Sequence, residues 1–439
     1  MVKIFTVKIR TPFFLVRVFP CLLLLGCLFL FNGCWDRQEV ESLALVQVLG
    51  IDKGPGGKGL TITFMIAIPP KIAGGDSGNP AGGGGGGSDT GTFIVSMDSP
   101  TIYEGFNLIN TTVNRDITLL QNSAIIFSED LAKKGLRKWI DNLARFRQIR
   151  RTNLIFICKG KAADVMNIKP RLEKNPSEYF IDLAIESRRT GMFPYVTLHD
   201  FLNAYEAYAQ ESFAPYLAKY KRKEPGAEEA AGGVGAGAGK PGQGSPSGQG
   251  AKPEAKTENV RIEGTAVFKR DKMAGTLDLY ESQVLQLLTN QFREAILTVP
   301  DPRKKDYKVV IRLMGSKPAK VKYLPRKGEH FFKVDLRLEA DLVSIQSGID
   351  YTEPNLELVL AKHIARILKK RITKVISKVQ QQYDSDVFGF GTQVRKKFLT
   401  TKEWHDYYWP DKFKDARFQI GVKVAIRRVG VQFHPPAIR

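Results

Sequence analysis

The sequence predicts an α+β protein of three domains, with mixed or antiparallel sheets and packed helices. Its 439 residues suit two or three domains of ordinary size. Short apolar runs alternate with amphipathic stretches, which is typical of strands and helices that share a sheet. Two Gly-rich stretches interrupt the chain: 74–91 predicts a flexible loop, and 223–258 is a linker too poor in apolar residues to fold.

Residues 1–33 have the pattern of a signal peptide. Basic residues stand at the start, and no acidic residue precedes Asp36. The apolar run "FPCLLLLGCLFLF" is about 13 residues long, whereas a membrane-spanning helix needs about 20. A transmembrane anchor is the alternative, but it would have to include Arg17, which costs ~2.5–3.5 kcal/mol at mid-membrane.

Cys34 stands where the apolar segment gives way to polar chain. Gly33 before it resembles the cleavage site of a bacterial lipobox, in which the cysteine thiol takes a diacylglycerol with acyl chains such as palmitate. Cys27, at the end of "LLGC", is a competing site, but cleavage there would leave "LFLFNG" on the mature protein. The sequence therefore predicts lipidation at Cys34.

The first folded domain is predicted over 34–176, with the Gly-rich loop at 74–91. Its strands are "LALVQVLGID", "LTITFMIAI", "TFIVSMD" and "TNLIFICKG", and "TIYEGFNLINTTV" is a helix. Cys158 lies in the last of these strands and is predicted to be a small buried residue rather than a reactive thiol. Since the other three cysteines precede residue 35, no intramolecular disulfide is expected in the mature chain.

A middle domain is predicted over 177–280, interrupted by the disordered linker 223–258, and a C-terminal domain over 281–439. "VRIEGTAVFKRDKMAGTLDLYE" predicts a hairpin. In "FKVDLRLEADL", apolar and charged residues alternate, which predicts a strand with one dry and one wet face. "NLELVLAKHIARILKKRITKVISKVQQQY" predicts a long amphipathic helix, so the C-terminal domain is expected to be an antiparallel sheet covered by this helix.

The charge of the chain restricts its partners. A net charge of +21 favours nucleic acid or an anionic membrane surface. Export and the lack of stacking aromatics among the basic residues argue against nucleic acid. The five histidines have no metal-ligand spacing, and there is no phosphate loop or nucleophile motif. The sequence predicts no catalytic residue, no metal, no cofactor and no enzyme.

Two clusters remain as candidate sites. The long helix carries basic residues, with Lys369, Lys370 and Arg371 at its centre; they indicate either docking to anionic headgroups or an acidic partner, or simply a solvated outer face. The aromatic residues of "WHDYYW" (404–409) indicate either a ligand platform or a small core that closes a domain end.

Several motifs resemble one known family. They are "CWDRQEVESLALVQVLGID" (34–52), "SEDLAKKGL" (128–136), "GTAVFKRDKMAGTLDLYES" (264–282), "SDVFGFG" (385–391), and Trp404 and Trp409 before "VKVAIRRVG". The chain resembles the Ger(x)C family, the C-subunit lipoproteins of spore nutrient germinant receptors. The motifs occur on both sides of the linker; Phe31, Asn32 and the two Gly-rich insertions depart from the pattern.

The resemblance implies a non-enzymatic receptor subunit needed for nutrient-triggered germination. Cys34 would hold it on the outer face of the spore inner membrane of a Gram-positive bacterium, beside an integral-membrane A subunit and a permease-like B subunit. Trp35 and Asp36 match the family motif without an assigned role. The alternative is a lipoprotein solute-binding component of a transporter, which would show two similar lobes.

Overall fold

Two β-sheets, of nine and five strands, organise the part of the chain that the structure describes. The computed structural model describes residues 39, 42–68, 91–168, 176–221, 258–315, 317–326 and 328–428. From Ala44 onward these residues form one compact unit. The strands are β1 Leu43–Lys53, β2 Leu60–Ala67, β3 Thr92–Ser99, β4 Asp116–Thr118, β5 Ala124–Ser128, β6 Leu154–Cys158, β7 Phe213–Lys221, β8 Glu258–Lys269, β9 Lys272–Asp278, β10 Glu294–Pro300, β11 Lys308–Gly315, β12 Lys320–Tyr323, β13 Phe331–Ile345 and β14 Arg417–Arg428.

Helices connect and cover these strands. They are α1 Ile102–Ile109, α2 Glu129–Lys134, α3 Arg137–Arg145, α4 Ala162–Met166, α5 Pro176–Thr190, α6 Leu198–Ala207, α7 Leu279–Thr289, α8 Pro354–Lys378, α9 Gly391–Arg395 and α10 Thr401–Tyr407. β5 leads directly into α2, and the helical stretch that follows is divided at Gly135, whose φ of 122° does not fit a helix.

The first sheet has the order β3-β2-β1-β5-β6-β7-β8-β9, and β4 also pairs with β1. Its central strands β1, β5, β6 and β7 are parallel, and both sides continue antiparallel. Every residue of β5 and β6 is buried, as expected for parallel strands that are covered on both faces. Cys158, at the end of β6, is fully buried as predicted.

This sheet takes strands from both of the segments predicted as the first two domains. β6 comes from 34–176, and it pairs with β7 from 177–280 through Cys158 and Leu217. The predicted hairpin is β8–β9, and the predicted strands around the first Gly-rich loop are the antiparallel pair β2–β3. Residues 69–90 and 222–257 lie outside the described residues, and the division into domains stays a prediction.

The second sheet has β13 at its centre. β11 and β12 pair antiparallel with successive parts of one edge of β13, and β10 extends β11. β14 pairs with the opposite edge and is parallel to β13, whereas the sequence predicted an antiparallel sheet. The reason is the connection: α8 lies between β13 and β14 and returns the chain to the end where β13 began, which makes the two strands parallel.

The core of the second sheet follows the predicted alternation. Along β13 the apolar side chains are buried, and the charged side chains between them face the other way. α8 packs on the buried face, where Leu360, Ile364, Leu368 and Ile372 join one apolar cluster that also includes residues of the first sheet. The C-terminal layer is therefore a sheet with α8 on one side and an open charged face on the other.

Candidate functional site: charged surfaces of the C-terminal layer and the seam beneath them

α8 is the predicted amphipathic helix, over 25 residues. Pro354 is in its first turn, where a missing N–H costs nothing, and the apolar residues recur at three- and four-residue steps. These residues pack against β14 and α7, so the opposite side of the helix faces solvent. The pattern of apolar residues therefore decides which basic residues are accessible.

The outer surface of α8 carries five exposed cations, Lys362, Arg366, Lys369, Lys370 and Lys374. Four of them are spaced by four residues and lie one above the other along the helix. Like charges at this spacing destabilise a helix by about 0.2–0.5 kcal/mol per pair. None of the five makes an ion pair within the described part of the chain. The outer surface of α8 is thus a cationic strip that does not stabilise the fold.

Lys378 continues the same four-residue spacing but has a different environment. Its Nζ donates to Glu281 Oε2 at 2.6 Å and to the Thr276 carbonyl oxygen at 3.3 Å. Burial opposes its charge, but the hydrogen bond and charge of Glu281 together with the nearby Tyr383 outweigh burial and raise the pKa of Lys378. Lys378 therefore holds α8 against the first sheet and α7.

The structure places the three central residues of the predicted interaction site in two different environments. Lys369 and Lys370 are exposed on the outer surface. Arg371 is half-buried, and its guanidinium lies 5.9 Å from the ring centroid of Tyr280. The helical period predicts such a division, whereas the contact with Tyr280 depends on tertiary packing that the sequence does not reveal.

Asp386, in the motif "SDVFGFG", lies at the centre of a buried network. Its Oδ2 accepts from the indole N–H of Trp409 at 2.7 Å and from the backbone N–H of Gly391 at 2.8 Å, and its Oδ1 accepts from Phe390 N–H at 3.1 Å. Burial raises the pKa of Asp386 to about 6, although these donors stabilise the charged form. A Cβ on Gly391 would lie 2.3 Å from Trp409 Cδ1, so only glycine fits there.

The turn of the β8–β9 hairpin meets this network from the first sheet. The Arg270 N–H donates to Glu211 Oε2 at 2.7 Å, and Lys269 Nζ donates to Asp384 at 3.1 Å and to the Pro410 carbonyl at 2.6 Å. Burial raises the pKa of Glu211 to about 7. We call Glu211, Lys269, Arg270, Asp386 and Trp409 the polar seam; it joins the first sheet to the segment between α8 and β14.

The aromatic cluster extends this core. Trp404 and Trp409 are buried, and the Trp404 indole donates to the Ala207 carbonyl at 3.0 Å. His330 lies between Tyr323 and Tyr407, whose hydroxyls are 3.0 and 2.9 Å from its two ring nitrogens. The tryptophans therefore close a domain end, which agrees with the core interpretation and not with an exposed ligand platform.

Gly50, Ile51 and Asp52, which end the first of the family motifs, also have a structural role. Asp52 accepts from the backbone N–H groups of Ala162 and Ala163, at 2.7 and 3.2 Å, at the start of α4. A Cβ on Gly50 would lie 2.5 Å from the sulfur of Met166 in the same helix. Together with the polar seam, this places Gly50, Asp52, Asp386 and Trp409 in the interior of the fold.

The described residues contain no group of three or more His, Cys, Asp and Glu side chains that could hold a metal ion. Burial raises the pKa of the Cys158 thiol well above its usual value. Within the described ranges, no helix has the length and apolar character that crossing a bilayer requires. Cys34, Trp35 and Asp36 lie outside the described residues.

Fold and site together define a mixed α+β protein with a hydrogen-bonded polar interior and a cationic strip on the outer surface of α8. The family model described as the spore germination protein N-terminal domain matches residues 36–219. The model described as spore germination B3/GerAC-like, C-terminal, matches residues 263–430. The chain therefore belongs to the GerAC-like, or Ger(x)C, family of spore germination proteins. This membership agrees with the prediction that the chain is not an enzyme.

Relatives match over nearly the whole chain. Spore germination protein KC of Bacillus subtilis is 23% identical over 92% of this chain and 93% of its own length. Spore germination protein GerQC of Bacillus cereus is 22% identical over 91% of this chain and 95% of its own. The crystal structure of the GerBC protein aligns with 86% of this chain and 96% of that one, at 14% identity and a TM-score of 0.44.

Proposed function

We propose that this chain is the lipid-anchored, non-enzymatic C subunit of a spore germinant receptor. Cys34 would carry the acyl chains and hold the folded body on the outer face of the spore inner membrane. There it would contact an integral-membrane A subunit and a permease-like B subunit during nutrient-triggered germination. Two or more acyl chains make a stable anchor, whereas one binds only marginally.

The observation that carries this proposal is the coverage of the two family models. They match 36–219 and 263–430, in order and on both sides of the linker. The first match begins two residues after Cys34. The anchoring cysteine would thus stand where the family's folded part starts.

The outer surface of α8 would be the second point of membrane contact. Its five exposed cations lie along one convex side of a helix, so several can reach a flat anionic surface together. Basic residues near such a surface contribute about 1 kcal/mol each. Lys369 and Lys370 are at the centre of the surface, whereas Arg371 is turned toward α7.

The alternative, a solute-binding component of a transporter, finds no support in the topology. Two similar lobes would repeat one strand order. The two sheets instead have nine and five strands in unrelated orders, within the part of the chain that the structure describes.

Replacing the anchoring cysteine tests the proposal. Cys34→Ala should remove the protein from the membrane fraction of spores and abolish germination through this receptor. Cys27→Ala is the matched control, since it changes the competing lipobox, and it should leave both properties intact. Membrane retention and germination by Cys34→Ala, or their loss in Cys27→Ala alone, would overturn the assignment of the anchor.

A further inference from the structure

The open face of the second sheet, on the side opposite α8, carries a cationic groove. Lys333 and Arg337 project from β13 on the face opposite Val334 and Leu336, which are buried. The register places β12 and β14 side chains beside them: Lys322 pairs with Lys333, and Arg337 pairs with Lys423. Paired residues in a sheet present their side chains on the same face, so these charges converge.

The groove has a volume of about 540 Å³. Its lining includes one carboxylate, Asp335, and six cations: Lys317, Lys320, Lys322, Lys333, Arg337 and Lys423. Gly421 pairs with Asp335, and a Cβ on Gly421 would lie 2.5 Å from Asp335 Oδ1. Because Gly421 has no side chain, the groove stays open at this position, and the cations surround it.

The charges that line this groove do not balance one another. Asp335 Oδ2 lies 3.9 Å from Lys333 Nζ, and Lys320 pairs with Asp335 across the strands, but one carboxylate cannot neutralise five lysines. Lys322 faces Lys333 on the neighbouring strand. Like charges directly opposite each other destabilise a sheet, so this lysine pair is unfavourable until an anion enters.

The shape of the surface selects the kind of anion. A planar bilayer cannot enter a concave groove. It also cannot touch this face and the outer surface of α8 together, because the two lie on opposite sides of the sheet.

The spacing of the cations fits an extended chain. Lys320 and Lys322 are alternate residues of one strand, about 7 Å apart. Alternate side chains of an extended peptide have the same spacing, so carboxylates two residues apart match successive lysines. We propose that this groove binds an acidic, extended segment of a partner protein, with carboxylates at alternate positions. The proposal does not depend on the lipid anchor.

The experiment uses the complete mature chain and a fluorescein-labelled peptide of alternating Glu and Thr. Fluorescence anisotropy should show binding that weakens as salt rises, because exposed charge pairs are screened. Lys320→Glu/Lys322→Glu should weaken binding about tenfold or more, since rim charges steer and hold charged partners. The matched control, Lys369→Glu/Lys370→Glu on the outer surface of α8, makes the same change of net charge and should alter affinity less than about twofold.

A peptide of the opposite charge distinguishes a change in binding preference from a folding defect in the variant. An alternating Lys and Thr peptide should bind the groove variant better than the wild type, which an unfolded variant would not do selectively. Equal weakening in both double variants, or no binding of the acidic peptide, would overturn the proposal. So would displacement of the peptide by millimolar inorganic phosphate, or a groove variant that loses only its binding to phosphatidylglycerol vesicles.

Discussion

The polar seam and the outer surface of α8 use charged residues in opposite ways. In the seam, Asp386 is buried and accepts from three N–H donors, and Lys269 is held by Asp384 and a carbonyl. On the outer surface of α8, Arg366 and four lysines stand together in one exposed strip. The seam stabilises the fold, whereas the strip costs stability and is available to a partner.

The largest expected effect is in the seam. Asp386→Ala leaves the Trp409 indole and two backbone N–H groups buried without an acceptor. Chemical denaturation should show a loss of about 3–4 kcal/mol in the free energy of unfolding. Asp411→Ala is the matched control, because that carboxylate is exposed and pairs with Arg270 at the surface. It should cost less than about 1 kcal/mol. Equal losses in the two variants would contradict the distinction between seam and surface.

The second effect is a pH dependence that belongs to the seam. Burial raises the pKa of Glu211 to about 7, above its ordinary value of 4.5. The folded state therefore holds this proton where the unfolded state releases it, so the stability from Glu211 is complete below pH 4.5 and is lost as the pH rises through about 7.

Glu211→Gln removes this titration. Between pH 5 and pH 8, the wild type should lose about 2 kcal/mol of unfolding free energy relative to the variant. Denaturation curves at the two pH values give the difference directly. A constant difference between wild type and variant would show that Glu211 does not titrate in this range.

The third prediction compares the contributions of two lysines of α8 to stability. Lys378→Ala should destabilise the protein by about 1–2 kcal/mol, because it leaves Glu281 without its hydrogen-bonded cation at a partly buried position. Lys370→Ala, eight residues earlier on the exposed strip, should change stability by less than about 0.5 kcal/mol. Thermal unfolding of the two variants side by side makes the comparison. A larger loss from Lys370→Ala would mean that the strip has a structural role.

The smallest effect on stability has the opposite sign. Lys370→Glu replaces repulsion with attraction toward Arg366 and Lys374, so it should stabilise the protein by about 0.5–1 kcal/mol. The same change should weaken binding to phosphatidylglycerol vesicles about tenfold. Lys402→Glu, on the exposed side of α10, is the charge-matched control and should leave vesicle binding nearly unchanged. Stabilisation without loss of vesicle binding would show that the cationic strip does not bind the membrane.

Local patterns predicted the elements of the fold better than their pairing. The alternation in β13 and the period of α8 are encoded within single segments, so both were visible in the sequence. The parallel β13–β14 pair and the β6–β7 pair join distant segments, and no local pattern encodes them. The same holds for Asp386, whose donors become neighbours only after folding.

The candidate surfaces could likewise be predicted only in part from the sequence. Basic residues on α8 are evident from the sequence, and the helical period shows that Lys370 is exposed and Ile372 is buried. The groove is different: Lys320, Lys333 and Lys423 belong to three strands, and only their register brings them together. The grouping of charges from different strands could therefore be recognised only in the structure.

The intact mass of the protein purified from spore membranes is the decisive test of lipid anchoring. We predict a polypeptide that begins at Cys34 and carries at least two fatty acyl chains. A polypeptide that retains residues 1–33, or one that begins at Cys34 without acyl chains, would contradict this prediction.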